Sequence, residues 1–235
     1  AFSMCTEYTL PTGNARGYGM RLLDLFCGAG GAAMGYHRAG FDEIVGVDNR
    51  PQPRYPFEFV QADAMTYPLD GFDAIHASPP CQRFSVMKVL PQAREHPDLI
   101  APTRDRLIAS GLPYVIENVP GAPLIDPVTL CGSMFGLRSA RGYLRRHRLF
   151  ETTFAVLTPR CAHRGLAIGV YGHGSAGWLG QRMRTAKAGE ARELMGMDWA
   201  TRDGMSQAIP PAYTEFVGRA LLASMEPRTQ RKAAV

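Results

Sequence analysis

Short apolar runs alternate with longer amphipathic segments in the first half of this 235-residue chain, and this alternation restricts its fold more than any other feature. The apolar runs lie at 22–26, 44–47, 74–77 and 114–116, and the helix-like segments at 32–39 and 99–109. Strands that alternate with helices form βαβ units, which build a parallel sheet. We therefore predict an α/β fold with a doubly wound, mostly parallel, Rossmann-like sheet.

The second half of the chain has a different residue spacing. Between 152 and 184, glycines stand at 165, 169, 172, 174, 177 and 180, too close together for a helix or a buried strand. We interpret 152–184 as a small loop-rich insert. The other predicted parts are an arm at 1–19, a core at 20–151, C-terminal helices at 185–226 and a tail at 227–235. The last helix should begin near Pro210, and its apolar positions predict that it packs on the sheet.

Charge and cysteine content restrict the compartment and the partners. The net charge of +5 is compatible with a polyanionic partner but does not require one. The five cysteines are odd in number and form no CxxC pair, which argues against a disulfide framework and a zinc ribbon. No apolar run reaches the roughly 18 residues of a membrane span, and the N-terminal residues lack the order of a signal peptide. We expect a cytoplasmic protein without membrane contact.

The first predicted strand leads directly into the glycine-rich turn CGAGG. Such a turn either makes a tight connection or lets a ligand approach the backbone at the start of a helix. Asp48 lies 20 residues beyond Gly28, where an acidic residue can bind a ribose hydroxyl. Together with Asn49 and the later Asp63-Ala64 pair, it favours a nucleoside cofactor, although Asp63 taken alone is also typical of a helix N-cap.

A cysteine follows the predicted strand at 72–77, within the sequence SPPCQ. Free cysteines are usually buried packing residues. Cys81, however, comes after two prolines that fix its loop, at the strand end where α/β folds bind their ligands. This position favours a nucleophilic thiol.

A carboxylate follows the next strand. Glu117 comes directly after the apolar residues 114–116. It is either a surface cap of the strand or a group held in a cleft, where a raised pKa lets it donate a proton. Because parallel strands end at one edge of a sheet, a shared edge with Cys81 favours the proton donor.

Seven segments in a fixed order identify a family resemblance. They are DLFCGAGG at 24–31, PPCQ at 79–82, ENV at 117–119, LCGSMFGL at 130–137, RHR at 146–148, EARELMGM at 190–197 and AIPP at 208–211. This series closely resembles the motifs of the C5-cytosine DNA methyltransferases. The resemblance extends over about residues 20 to 225.

The resemblance implies transfer of a methyl group from S-adenosyl-L-methionine to carbon 5 of a flipped-out cytosine in double-stranded DNA, with S-adenosyl-L-homocysteine as the product. Cys81 matches the thiolate that adds to carbon 6, Glu117 the acid near N3, and Arg148 the group that holds the base near O2. The matching cofactor contacts are Phe26, Gly28, Gly30, Asp48, Asn49, Asp63, Ala64, Pro80, Gln207 and Ala208. DNA contacts are expected at Gln82, Ser85, Arg141, Arg145 and Arg146.

The basic run 138–148 and the later cysteines have more than one interpretation. Five arginines within 11 residues usually form a solvated face, but beside the RHR motif they favour a track of phosphate contacts. Apart from Cys81, the cysteines of the motif segments are Cys27 and Cys131, and both are interpreted as structural. Cys161 and His163 could begin a metal site, but two ligands without visible partners lead us to expect no metal.

Three departures from the family pattern weaken individual contacts that the resemblance implies. Leu144 stands where the family usually has a glutamine that helps to fix the arginine pair. Ser206-Gln207 replaces the family's Gly-Asn, which weakens the cofactor contact expected at Gln207. The insert is much shorter than the family's recognition region, so it can supply few contacts to base edges. This compactness is typical of a phage or mobile-element enzyme, and we expect a monomer.

Two rival functions remain open. An RNA cytosine methyltransferase would use the same residues, since one branch of the family acts on tRNA. A non-catalytic relative that only binds DNA or the cofactor would keep the fold. The presence of both Cys81 and Glu117 argues against that second rival.

Overall fold

The computed structural model describes residues 19–80, 98–171 and 183–226, and within these residues the main sheet has seven strands. The strands are β1 (Arg21–Leu25), β2 (Glu43–Asp48), β3 (Glu58–Gln61), β4 (Ala74–Ala77), β5 (Tyr114–Asn118), β6 (Val128–Leu130) and β9 (Arg148–Thr152). Their order is β3-β2-β1-β4-β5-β9-β6. All neighbouring pairs from β3 to β5 are parallel, and β9 is antiparallel to both β5 and β6. The predicted fold class is confirmed.

Helices cover both faces of this sheet because its strands alternate their side chains between two apolar cores. The helices are α1 (Gly31–Ala39), α2 (Ile100–Ser110), α3 (Ala188–Met195), α4 (Arg202–Gln207) and α5 (Pro211–Met225). Leu22 packs with α1 and α5 on one face, while its neighbour Leu23 packs with Leu107 of α2 on the other. Among the described residues, no helix combines the length and the apolar character that a bilayer crossing requires.

A second, smaller sheet corrects one prediction. It contains β7 (Arg138–Ser139), β8 (Gly142–Leu144), β10 (Ala167–Gly169) and β11 (Met183–Thr185), in the order β11-β10-β8-β7. The sequence predicted that Gly169 lies in a loop, but all of β10 is buried. Parallel hydrogen bonding to both β8 and β11, and packing of Leu194 and Met205 over Ile168, stabilise this strand despite its glycine. The predicted division of the chain after residue 151 remains a prediction.

Helices α1 and α5, which cover the same face of the main sheet, lie very close together at Gly35. A Cβ atom added to Gly35 would lie 2.0 Å from the Thr214 hydroxyl oxygen and 2.2 Å from the Pro211 carbonyl oxygen. The Thr214 hydroxyl donates a hydrogen bond to the Ala32 carbonyl at 2.9 Å. This close contact fixes α5 against the first turns of α1, beside the glycine-rich turn.

We predict that Gly35→Ala destabilises the fold by about 1–3 kcal/mol or more, because the new methyl group would overlap the backbone of α5. The measurement is urea unfolding of the full chain. Gly189→Ala is the matched control, since its Cβ would meet nothing within 4 Å and alanine favours the helix. Equal unfolding midpoints for the two variants would contradict the close packing of α1 and α5.

Candidate active site

The predicted cofactor residues lie at one edge of the main sheet, where its parallel strands end. Phe26, Gly28 and Gly30 follow β1, Asp48 ends β2 and is followed by Asn49, Asp63 and Ala64 follow β3, and Pro80 follows β4. Glu117 lies near the end of β5 at the same edge. Open α/β sheets bind their ligands at this edge. The structure therefore places Glu117 and the cofactor residues that follow β1 to β4 at the same edge of the sheet.

The turn after β1 is open toward a ligand at Gly28. The backbone N–H of Gly28 donates to the Asp48 carboxylate at 3.0 Å, and the same carboxylate accepts the Arg50 N–H at 2.9 Å. Gly28 and Gly30 have φ of +48° and +76°, a conformation that favours glycine. A Cβ atom at Gly28 would meet no atom within 4 Å, so space is left for a ligand to approach the backbone.

Asp63 caps a turn and not a helix. Its carboxylate accepts the Met65 N–H at 2.9 Å, and its carbonyl accepts the N–H groups of Thr66 and Tyr67. The alternative of a helix N-cap is therefore wrong. The next residue, Ala64, is buried, and its carbonyl accepts a 2.8 Å hydrogen bond from the Arg106 guanidinium.

The closing segment of the chain lies against the glycine-rich turn. The Trp199 indole N–H donates to the Ala29 carbonyl at 2.8 Å, and α4 contacts Ala29 at Gly204. Gln207 is the last residue of α4 and is exposed, while the carbonyl of Ala208 accepts hydrogen bonds from Arg146. The backbone carbonyl of Ala208 is thus already used within the protein.

Glu117 and Arg148 form a buried ion pair at the end of β5. The Arg148 Nε lies 3.0 Å from Glu117 Oε1, and the two side chains are only 13% and 7% exposed. The pair is not aligned as a hydrogen bond, and Oε1 receives none from the described residues. Burial raises the pKa of Glu117, and the charge of Arg148 opposes that rise. The surface-cap interpretation of Glu117 does not fit a residue that is only 5% exposed.

A buried chain of hydrogen bonds, which the sequence did not predict, leads to Glu117. The Tyr36 hydroxyl lies 2.9 Å from His76 Nδ1, His76 Nε2 lies 2.9 Å from the Ser78 hydroxyl, and Ser78 hydrogen-bonds Glu117. Burial lowers the pKa of His76 to about 3, so its ring is neutral. With its proton on Nε2, each donor in the chain faces the next acceptor toward Glu117. The chain therefore orients the carboxyl.

Asn118 fixes the loop that follows β4. Its amide donates to the Pro79 carbonyl at 2.9 Å, and its amide oxygen accepts the Val119 N–H at 2.9 Å. Cys81, which comes directly after Pro80 in the sequence, lies outside the described residues, as do Gln82 and Ser85. The structure thus describes the anchor of the loop but not the predicted nucleophile.

The described cysteines near this edge are poor alternatives to Cys81 as a nucleophile. Cys27 is 7% exposed, and burial, followed by the negative charge of Asp24, raises the pKa of its thiol far above the ordinary value. Cys131 is fully buried, so a base cannot reach it. Thiolate chemistry requires an accessible thiol of low pKa.

One predicted DNA contact is wrong. Arg146 is only 2% exposed, and its guanidinium donates to the carbonyls of Val170, Ser206 and Ala208 at 2.8–3.1 Å. A guanidinium whose donors are used inside the protein cannot bind phosphate. Leu144, which replaces the family's glutamine, is fully buried in the small core, so these carbonyls fix Arg146 without that polar contact.

The other arginines of the basic run differ from Arg146 in exposure. Arg138 and Arg141 are exposed and Arg145 is half-buried, on or beside the hairpin of β7 and β8. Arg138 lies opposite Tyr143 in the register, and Arg145 is two residues beyond Tyr143. Side chains two residues apart, or directly opposite, share one face of a sheet. Arg138 and Arg145 therefore share one side of the hairpin and Arg141 lies in its turn, and these three arginines are the basic hairpin face.

Comparison with known proteins supports the family prediction. Residues 20–122 match the family model of the C-5 cytosine-specific DNA methylases, which confirms the resemblance over that part of the chain. No curated protein matches the chain.

One solved structure shows the same fold, and two others resemble part of the chain more weakly. An Entamoeba histolytica methyltransferase has a TM-score of 0.56 at 10% identity, over 89% of this chain and 100% of that one. A protein described as a DNA modification methyltransferase encoded within an E. coli prophage has a TM-score of 0.42 at 20% identity, over 63% of this chain and only 53% of its own length. An RNA methyltransferase from Salinibacter ruber, solved with S-adenosyl-L-homocysteine, has a TM-score of 0.34 at 14% identity, over 61% and 87%.

We predict that Arg148→Met destabilises the protein more near pH 8 than near pH 5. The folded-state pKa of Glu117 is raised, so the stability gained by its buried, protonated form is fully present below the unfolded pKa of about 4.3 and is lost as pH rises through the folded pKa. Arg148 opposes this loss. Without it, the ionised carboxylate is buried and unpaired, at a cost of about 3–5 kcal/mol.

Urea unfolding at the two pH values measures this difference. The control is the double variant Glu117→Gln/Arg148→Met, which has no carboxylate to ionise and should lose stability equally at both. An equal loss in the single variant would show that Arg148 does not act on the charge of Glu117.

Proposed function

We propose that this chain, whose residues 20–122 match the C-5 cytosine-specific DNA methylases, transfers a methyl group from S-adenosyl-L-methionine to carbon 5 of cytosine in double-stranded DNA. The observation that carries the proposal is the buried Glu117–Arg148 pair beside the anchored loop that leads into Cys81. A protein that only binds DNA has no need of a buried carboxyl with a raised pKa at this edge.

The residues after β1, β2 and β3 fit the cofactor. The Asp48 carboxylate accepts two backbone N–H groups and keeps lone pairs for ribose hydroxyls. The open space over Gly28 admits the rest of the cofactor, and Phe26, Asn49, Asp63 and Ala64 surround it in this proposal. When bound, S-adenosyl-L-methionine supplies an electrophilic methyl group on a positively charged sulfur.

The reaction requires activation of carbon 5, which is a weak nucleophile. The Cys81 thiolate forms a bond to carbon 6, and the electrons of the ring double bond move toward N3 and O2. Glu117, whose pKa is raised by burial, donates a proton to N3 in this proposal. With the cofactor bound, carbon 5 would take the methyl group as the sulfur–methyl bond breaks. The carbon 5 proton would then pass to water, N3 would return its proton to the Glu117 carboxylate, and the thiolate would leave as the double bond re-forms.

Arg148 has two functions in this scheme. In this proposal its guanidinium binds the O2 atom of the base, where negative charge develops during thiolate addition. It also stabilises Glu117 as a carboxylate once the proton has been given to N3, because the two groups are 3.0 Å apart. The hydrogen-bonded chain from Ser78 holds the same carboxylate in place.

DNA binding is assigned to the basic hairpin face and to the residues after the nucleophile. Arg141 and Arg145 contact phosphates, and Gln82 and Ser85, which lie outside the described residues, contact the base or its backbone. Because the small sheet is short, we expect recognition of a very short sequence or mainly of the backbone. The target base is flipped out of the duplex to reach the edge.

We predict that duplex DNA with fluorine on carbon 5 of the target cytosine traps the protein covalently. Fluorine cannot leave as a cation, so the intermediate stalls after methyl transfer. The measurement is denaturing electrophoresis of the full chain with DNA and S-adenosyl-L-methionine. Cys81→Ala should abolish the adduct, and Cys5→Ser, which removes another thiol, should not.

The same experiment separates the alternatives. No adduct on DNA that the protein methylates would refute the role of Cys81, and an adduct mapped to Cys27 or Cys131 would reassign it. Adduct formation with tRNA and not with duplex DNA would favour the RNA substrate.

We also predict that DNA affinity decreases with salt, with a slope of about −0.9 per phosphate neutralised. Arg141→Glu and Arg145→Glu should each weaken binding to all sequences and reduce that slope by about 1. Arg219→Glu is the matched control, because Arg219 is exposed on α5 and already pairs with Glu215. Unchanged affinity in both test variants would show that these arginines form only a solvated surface and do not bind DNA.

A further inference from the structure

Four potential metal ligands meet beside the start of β9. Cys131 precedes the short 3-10 helix Gly132–Phe135, His147 precedes Arg148, and Cys161 and His163 belong to the segment that follows β9. Their ligand atoms all lie within 4.8 Å of one another. Cys161 and His163 have no visible partners in the sequence, and the structure supplies Cys131 and His147.

We propose that Cys131, His147, Cys161 and His163 bind a structural Zn²⁺ ion. Two thiolates and two imidazoles are a typical closed tetrahedral ligand set for zinc. With Zn–S near 2.3 Å and Zn–N near 2.05 Å, a tetrahedral site separates each sulfur from each nitrogen by about 3.6 Å. The observed distances are 3.4 Å from Cys131 Sγ to His163 Nε2 and 3.6 Å from Cys161 Sγ to His147 Nε2.

The arrangement favours a metal site over two separate thiol–imidazole hydrogen bonds. Separate pairs would need contact only within each pair, whereas here all four ligand atoms converge. The rings of His147 and His163 stand at 85° to each other, 5.2 Å apart, so their Nε2 atoms meet without stacking.

A second layer of contacts orients two of the ligands. The Ser133 hydroxyl donates to Cys131 Sγ at 3.5 Å and accepts the Ala162 N–H at 3.2 Å. The Tyr143 ring stacks on His163 at 5.6 Å, with 13° between the planes. Outer contacts of this kind fix the direction of metal ligands.

The surroundings of the site indicate a structural role for the ion. Residues 155–164 have no regular secondary structure, and Leu157 is 92% exposed, so little apolar burial holds this segment. Zinc would join it to the start of β9 and to the 3-10 helix. His147 stands between Arg146 and Arg148, so the ion would also restrain the backbone that carries both arginines. The four ligands form a closed set, so the role is structural and not catalytic.

The test is metal analysis of the full chain, purified under reducing conditions and without chelators. Mass spectrometry of the metal content should find one zinc ion per chain. His163→Asn and Cys161→Ser should lose it, while His163→Cys, which keeps a ligand atom, should retain it. His37→Asn is the matched control, since His37 is an exposed histidine on α1.

Cobalt gives a second measurement that does not depend on the variants' folding. Exchange of the wild-type protein into Co²⁺ should produce visible bands of a tetrahedral ion and a thiolate charge-transfer band, and added zinc should remove both. A folded wild-type chain that binds neither ion would overturn the proposal, as would zinc retained in both His163→Asn and Cys161→Ser. Neither result depends on methyl transfer.

Discussion

Burial of the Arg146 guanidinium is the interaction on which the two sheets and the closing helices depend. A buried guanidinium requires hydrogen-bond acceptors for its N–H groups, because removal of a cation from water costs several kcal/mol. Arg146 finds acceptors on Val170, next to the small sheet, and on Ser206 and Ala208, which precede α5. Tyr213 of α5 in turn donates to the Arg146 carbonyl at 2.6 Å. Segments far apart in the sequence are thus fixed around one side chain. Arg146 also lies two residues before Arg148 of the proposed active site.

The proposed acid, Glu117, depends on a balance between two opposing influences. Burial favours the protonated form of Glu117, while Arg148 and the hydrogen bond from Ser78 favour the carboxylate. These opposing influences act on one carboxyl because Glu117 is buried and lies 3.0 Å from the Arg148 guanidinium. In the proposed reaction, Arg148 would stabilise the carboxylate that remains after Glu117 has given up its proton.

Local patterns in the sequence predicted β1, β2, β4, β5 and the glycine-rich turn, because apolar periodicity and turn residues determine these features directly. Contacts between distant segments could not be predicted in this way. Arg146 stands in the same basic run as the exposed Arg141, and only the tertiary fold distinguishes them. His76 lies within an apolar run, so it looked like a core position, and Cys131 is 30 residues from Cys161. The sequence feature that could have pointed to a role for His76 was its polar side chain within an otherwise apolar strand.

The link between Asn118 and Pro79 determines how the acid and the loop before Cys81 can move. Asn118 is the neighbour of Glu117 in β5, and its amide holds the Pro79 carbonyl at 2.9 Å. A displacement of β5 therefore carries the carboxyl and the base of the loop in the same direction. The proposed alignment of the acid with that loop is therefore set between the adjacent strands β4 and β5, and the separate small sheet takes no part in it.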